Sequence, residues 1–126
     1  MRCTHCQKCC RETMMELSET DIVRLERRGY QRQDFSYIGV DDIPRLRNEG
    51  TWCFFYDPEQ KRCREYASRP LGCALYPVNL DQDGEAFIDG LCPQGGSVTE
   101  QELRLKGKRL VMLLATIDGE AARRKR

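Results

Sequence analysis

A chain of 126 residues, 40% hydrophobic and 33% charged, carries enough apolar material for one buried core and is not composed like a disordered segment. No apolar run approaches the about 20 residues that a membrane helix needs, so no membrane partner is expected. A net charge of +1 gives no support for a general polyanion binder, nucleic acid included.

Residues 1–12 hold a dense cluster, Cys3-x2-Cys6-x2-Cys9-Cys10. Met1-Arg2-Cys3 leads straight into it without a signal-peptide pattern, so the expected compartment is the cytoplasm. In a reducing compartment, eight cysteines beside one histidine point to metal or redox chemistry rather than to disulfides.

Ser18-Glu19-Thr20-Asp21 reads as a capping box, with an acid three residues after Ser18. It predicts a helix over about 18–28 with Ile22 and Leu25 on its apolar side and Gly29 at its end. A second short helix is expected from Asp42 to Asn48, with an aspartate cap, Pro44 in the first turn and Gly50 beyond the end. Trp52 to Tyr56 reads as an aromatic strand, Asp57-Pro58-Glu59-Gln60 as its turn, and Arg62 to Tyr66 as the return strand. Ala74 to Leu80 is a further expected strand, turned by Asp83-Gly84 into Glu85 to Ile88.

Thr99-Glu100-Gln101-Glu102 is a second capping box, and Leu103, Leu110, Leu114 and Ile117 follow helical spacing, which predicts the longest helix over about 99–117. Met14, Met15 and Met112 are expected to pack. Arg123-Arg124-Lys125-Arg126 reads as a solvated helix end whose cations complement the helix dipole. The expected architecture is one small α+β domain over 1–126, with short β-hairpins and two or three helices around a cysteine-rich metal site.

A thiolate is a soft, anionic ligand suited to zinc, cuprous copper and iron–sulfur clusters. The C-x2-C spacing lets two sulfurs of one tight turn reach the same ion, and it runs twice through Cys3, Cys6 and Cys9. Cys10 adds a neighbouring sulfur that points in a divergent direction. Cys53, Cys63, Cys73 and Cys92 fall near expected strand ends and turns. All eight are candidate metal ligands, enough for two four-sulfur sites or one bridged binuclear site.

Arg2, Lys8 and Arg11 flank the first group and Arg62, Arg64 and Arg69 the second, where cations would offset thiolate charge and lower thiol pKa values. The competing reading of a lone cysteine is a small buried hydrophobe, and it is strongest for Cys53 between Trp52 and Phe54-Phe55. His5, inside the cluster, is one more candidate ligand. Structural zinc favours paired C-x2-C knuckles, which the distal cysteines lack. The C-x2-C-x2-C run and Cys92-Pro93 are similar to iron–sulfur ferredoxins, whose fourth cysteine nevertheless lies close to the run. The cofactor is therefore zinc or iron, an iron–sulfur cluster included.

Cys3-x2-Cys6-x2-Cys9-Cys10-Arg11 followed by Leu17-Ser18-x2-Asp21-Ile22 resembles the start of the CxxCxxCC cysteine-cluster family, described as a zinc- or iron-chelating domain. Cys53-Phe54-Phe55 and Cys63-x2-Tyr66-x2-Arg69-Pro70-x2-Cys73-x2-Tyr76-Pro77 resemble its distal block, and Cys92-Pro93 its closing cysteine, so the resemblance covers about 3–93. It implies metal chelation with no assigned activity. Ala74 departs from the arginine common in the family at that point, which leaves Arg69 as the candidate cation beside the site.

The expected function is metal binding. The alternative is an iron–sulfur electron-transfer or methylase-associated component, because the family resembles the cysteine-rich part of a flagellin lysine methylase. The sequence has no glycine-rich nucleotide loop and no C-x3-C-x2-C run of radical enzymes. Thiol redox work through C-x2-C would need a βαβ context that the sequence does not offer. No catalytic residue is assigned, since nothing pairs His5 or Tyr76 with a substrate.

Overall fold

The computed structural model describes residues 10–88 and 98–125. The first helix begins where the sequence predicts. The Ser18 hydroxyl oxygen accepts the Asp21 N–H at 3.1 Å, and an Asp21 carboxylate oxygen accepts the Ser18 N–H at 3.2 Å. This reciprocal box starts α1 (Glu19–Glu26) by satisfying amides that the first turn leaves without helical partners. Gly29 follows at φ +106°, a left-handed position where a side chain would be strained.

A single helical turn, α2 (Arg32–Phe35), leads into β1 (Ser36–Ile38), which pairs antiparallel with β2 (Pro44–Leu46). Two smaller ladders follow. β3 (Asn48–Glu49) pairs with β4 (Trp52–Cys53), and β5 (Tyr56–Asp57) with β6 (Arg62–Cys63). A 3-10 turn over Tyr66–Ser68 precedes the short helix α3 (Leu71–Leu75). The hairpin of β7 (Val78–Leu80) and β8 (Ala86–Ile88) and the long helix α4 (Glu100–Arg124) complete the order. The architecture is α+β, as the sequence predicts, with its strands in separate two-stranded ladders.

Four local expectations are corrected. The segment 42–48 is strand rather than helix. A residue before proline is pushed out of the α region, so Ile43 cannot fill a helical first turn ahead of Pro44. Burial then alternates along Pro44, Arg45 and Leu46, as on a half-buried strand. The aromatic run does not form one strand. Trp52–Cys53 pairs backwards with Asn48–Glu49, Phe54-Phe55 turn the chain, and only Tyr56–Asp57 meets the return strand, which ends at Cys63.

The expected strand from Ala74 starts only at Val78, because Leu71–Leu75 is helical and Pro77 follows it. The turn at Asp83-Gly84 holds, with the Asp81 carboxylate accepting the N–H groups of Asp83 and Glu85, both at 2.9 Å. Finally, Met14 and Met112 are exposed, and only Met15 packs against the core.

Helix α4 runs past its expected end at 117 to Arg124, with the Thr99 hydroxyl accepting the Glu102 N–H at 3.0 Å. Its face of Leu110, Leu113 and Ile117 joins Leu75 in one apolar cluster over α3 and the β7–β8 hairpin. The larger cluster is built from Leu17, Ile22, Leu25, Phe35, Leu46, Cys53, Phe55 and Tyr56. Phe55 is its hub: Tyr30 meets it edge-on at 4.9 Å and Phe35 lies 5.5 Å away between ring centroids. The far end of α4 closes on the start of α1. Glu120 accepts the Glu19 N–H at 2.9 Å, and Arg124 donates to the Glu19 carboxylate at 3.3 Å and to the Asp42 carbonyl at 3.2 Å.

Phe55→Ala empties the centre of the larger cluster and is expected to cost about 3–5 kcal/mol in urea denaturation. Phe87→Ala, at an exposed strand position, is expected to cost less than about 1 kcal/mol. Equal losses would contradict the placement of the core.

Candidate metal centre

The four described cysteines pack in or against the larger apolar cluster, each from a separate segment. Cys10 precedes a stretch that is zipped onto the β3–β4 ladder. The Glu12 N–H donates to the Thr51 carbonyl at 2.6 Å, and Thr13 exchanges two hydrogen bonds with the Asn48 side chain at 3.1 and 3.0 Å. The Arg11 guanidinium stands 5.5 Å over the Trp52 ring, which itself stacks on Tyr56 at 4.4 Å. Cys53 sits in β4 and is buried within the larger cluster. Cys63 ends β6 in register with Tyr56, and Cys73 lies inside α3. Cys10, Cys63 and Cys73 are each partly buried and packed against the cluster that contains Cys53.

The segments carrying Cys63 and Cys73 are held by two buried carboxylates. Asp21, 1% exposed, accepts the Ser18 N–H, the Arg24 guanidinium at 2.8 Å and the Leu71 N–H at 3.1 Å. Arg24 also donates to the carbonyls of Ser68 at 3.3 Å and Arg69 at 2.9 Å. A carboxylate removed from water in this way persists only because charged and backbone donors replace the lost hydration.

Glu65, two residues after Cys63, accepts from the Arg28 guanidinium at 2.8 Å and from the Tyr30 hydroxyl at 3.1 Å. Burial, and then the hydrogen bond to the anionic Glu65, push the Tyr30 phenol above its ordinary pKa. Beside Cys73, a β-carbon on Gly72 would collide with the Met15 sulfur, so any larger residue there would require the Met15 side chain to move. Glu65 and Gly72 had no signal in the sequence beyond their nearness to cysteines.

Cys3, Cys6, Cys9, Cys92 and His5 lie outside the described residues, as do Arg2, Lys8 and Pro93. Among the described residues, no three His, Cys, Asp or Glu side chains form a group able to hold an ion. Arg69 stands 4.0 Å over the Tyr66 ring and donates to the Tyr66 carbonyl at 2.7 Å.

A family model described as "CxxCxxCC: Putative zinc- or iron-chelating domain" matches residues 2–94. The chain belongs to the CxxCxxCC family. The matched span includes all eight cysteines, from Cys3 to Cys92, while α4 lies beyond it. No curated protein and no solved structure matches the chain. The description of the CxxCxxCC family concerns the chelation of zinc or iron, and the matched span is the one that carries the cysteines.

Asp21→Ala removes the buried carboxylate that pairs with Arg24 and accepts the Ser18 and Leu71 N–H groups, and is expected to cost about 3 kcal/mol or more by denaturation. Arg32→Ala removes only exposed ion pairs with Glu19 and Glu26 and is expected to cost less than about 1 kcal/mol. Comparable losses would remove Asp21 from its structural role.

The Tyr30 phenol holds its proton more tightly folded than unfolded. Its contribution to stability is therefore fully present below the unfolded value of about 10 and is lost as pH rises through the higher folded value. Stability measured across that alkaline range should fall more steeply for the native chain than for Tyr30→Phe; parallel curves would contradict the shift.

Proposed function

We propose that this chain chelates zinc or iron through Cys3, Cys6, Cys9, Cys10, Cys53, Cys63, Cys73 and Cys92. The observation that carries the reading is the convergence of Cys10, Cys53, Cys63 and Cys73 on one apolar cluster from segments widely separated in sequence. Packing alone explains one buried cysteine and explains four less well. The family match across the whole cysteine span supports the same reading. The donor chemistry fits. Thiolates are soft ligands for zinc or iron, and Arg11, the next residue after Cys10 with its guanidinium over the Trp52 ring beside Cys53 in sequence, would offset their charge. The cytoplasm is the proposed compartment, since a reducing environment keeps thiols available for metal.

Chelation in this reading contributes to folding. The ladders that carry Cys53 and Cys63 are two residues long, and such pairs are marginal without further support. Removal of metal is expected to lower the melting temperature markedly, as read by calorimetry before and after chelator treatment. An unchanged melt after verified metal loss would sink the claim.

Elemental analysis and a visible spectrum of anaerobically purified protein identify the metal. A colourless protein with stoichiometric zinc supports a zinc site, and a brown one with iron and acid-labile sulfide supports an iron–sulfur cluster. Cys63→Ser and Cys73→Ser are each expected to lower metal stoichiometry. A full metal complement in both would remove these residues from the ligand set.

A further inference from the structure

A cleft of about 500 Å³ opens between α1, the 67–74 segment and α4. Arg24, Arg69 and Arg109 all line it. The carboxylate among its lining residues is Asp21, whose oxygens are taken up by Ser18, Arg24 and Leu71. That carboxylate balances Arg24. Arg69 and Arg109 have no ion-pair partner among the described residues, so two uncompensated guanidinium groups share one cleft.

Arg69 is fixed in place by its bond to the Tyr66 carbonyl and its stacking on the Tyr66 ring. That leaves the rest of its planar fork to a ligand, with little further ordering to be done. The hydroxyls of Thr20 and Thr116 add donors at the same cleft. Leu71, 40% exposed, and Met112, 70% exposed, give it an apolar surface.

We propose that this cleft binds a small organic phosphate, its anionic group between Arg69 and Arg109 and its apolar body over Met112 and Leu71. Two separate guanidinium forks and two hydroxyls offer more donors than the two oxygens of a carboxylate take up. A phosphate monoester has three acceptor oxygens and close to two charges at neutral pH. The cleft volume lies in the range of small-molecule sites. The proposal stands apart from metal chelation, because none of its residues is a proposed ligand.

The test is calorimetric titration of the full, metal-loaded chain with phenyl phosphate, inorganic phosphate, benzoate and phenol. Phenyl phosphate should bind saturably and more tightly than the other three, with affinity falling as salt rises. The Arg109 side chain is exposed and makes no hydrogen bond or ion pair with a described residue, so Arg109→Ala should fold normally and weaken phenyl phosphate by at least about tenfold, the loss of one charged hydrogen bond. Arg109→Lys, which keeps the charge and loses the fork, should fall between. Met112→Ala should weaken phenyl phosphate and leave inorganic phosphate unchanged.

Failure of phenyl phosphate to bind, or binding unaltered in Arg109→Ala, would overturn the site. Equal affinity for benzoate would overturn the phosphate assignment, and equal affinity for inorganic phosphate would overturn the role of the apolar surface. Metal content measured on the same samples reads the chelation proposal independently.

Discussion

The Asp21 carboxylate, 1% exposed, organises this molecule from a single point. One of its oxygens closes the capping box that starts α1. The other takes the Leu71 N–H and the Arg24 guanidinium. Helix α3 is only five residues long and has no side-chain cap at Pro70, so its start is capped by a residue fifty positions earlier in the chain. Arg24 repeats the arrangement from the cationic side by donating to the carbonyls of Ser68 and Arg69. One turn of α1 thus serves as a template for the segment that carries Cys73. The same buried ion pair orders a helix start and fixes where a distant cysteine stands, which is why a costly buried charge is tolerated here.

Around that point the fold relies on side chains more than on sheets. Its strands are two or three residues long, too short to persist as isolated ladders. Phe35, Phe55, Tyr56 and Trp52 provide the apolar mass that holds them, and Glu65 ties the loop after Cys63 to Arg28 and Tyr30. The described cysteines beyond Cys10 stand on short elements held in this way, Cys53 in β4, Cys63 at the end of β6 and Cys73 in α3. A chelating family gains from that arrangement. In the proposed reading, a metal held by Cys53 and Cys63 would add the cross-links that these short ladders lack.

Features encoded within a few neighbouring residues were legible in the sequence. Ser18 with Asp21, Thr99 with Glu102, and Asp83-Gly84 each act through hydrogen bonds to nearby backbone, and each forms as expected. Segments decided by remote partners were not. Leu71–Leu75 is an apolar stretch that reads equally well as strand, and a carboxylate in α1 settles it as helix. The 42–48 segment has both a helix cap pattern and a proline, and the preference of Ile43 for extended backbone wins because Ser36–Ile38 is available to pair. Cysteine spacing made the family legible, since it depends on residue type. The gathering of Cys10, Cys53, Cys63 and Cys73 on one cluster is a property of tertiary packing, and no local pattern encodes it.

The closure of α4 on α1 bears on the order of assembly during synthesis. The N–H that opens α1 is bonded by Glu120, and the Glu19 side chain by Arg124, contacts that span 101 and 105 residues. The cysteines at 10, 53, 63 and 73 are all synthesised before α4. At roughly 5–20 residues per second, several seconds separate Cys73 from Arg124. Through that interval the first turn of α1, and with it the Asp21 template, lacks the contacts that lock it from the far end. Thiols are then present in a chain whose final clasp has not closed, and a metal ion can meet them from open solution before the last turn of α4 seals the start of the domain.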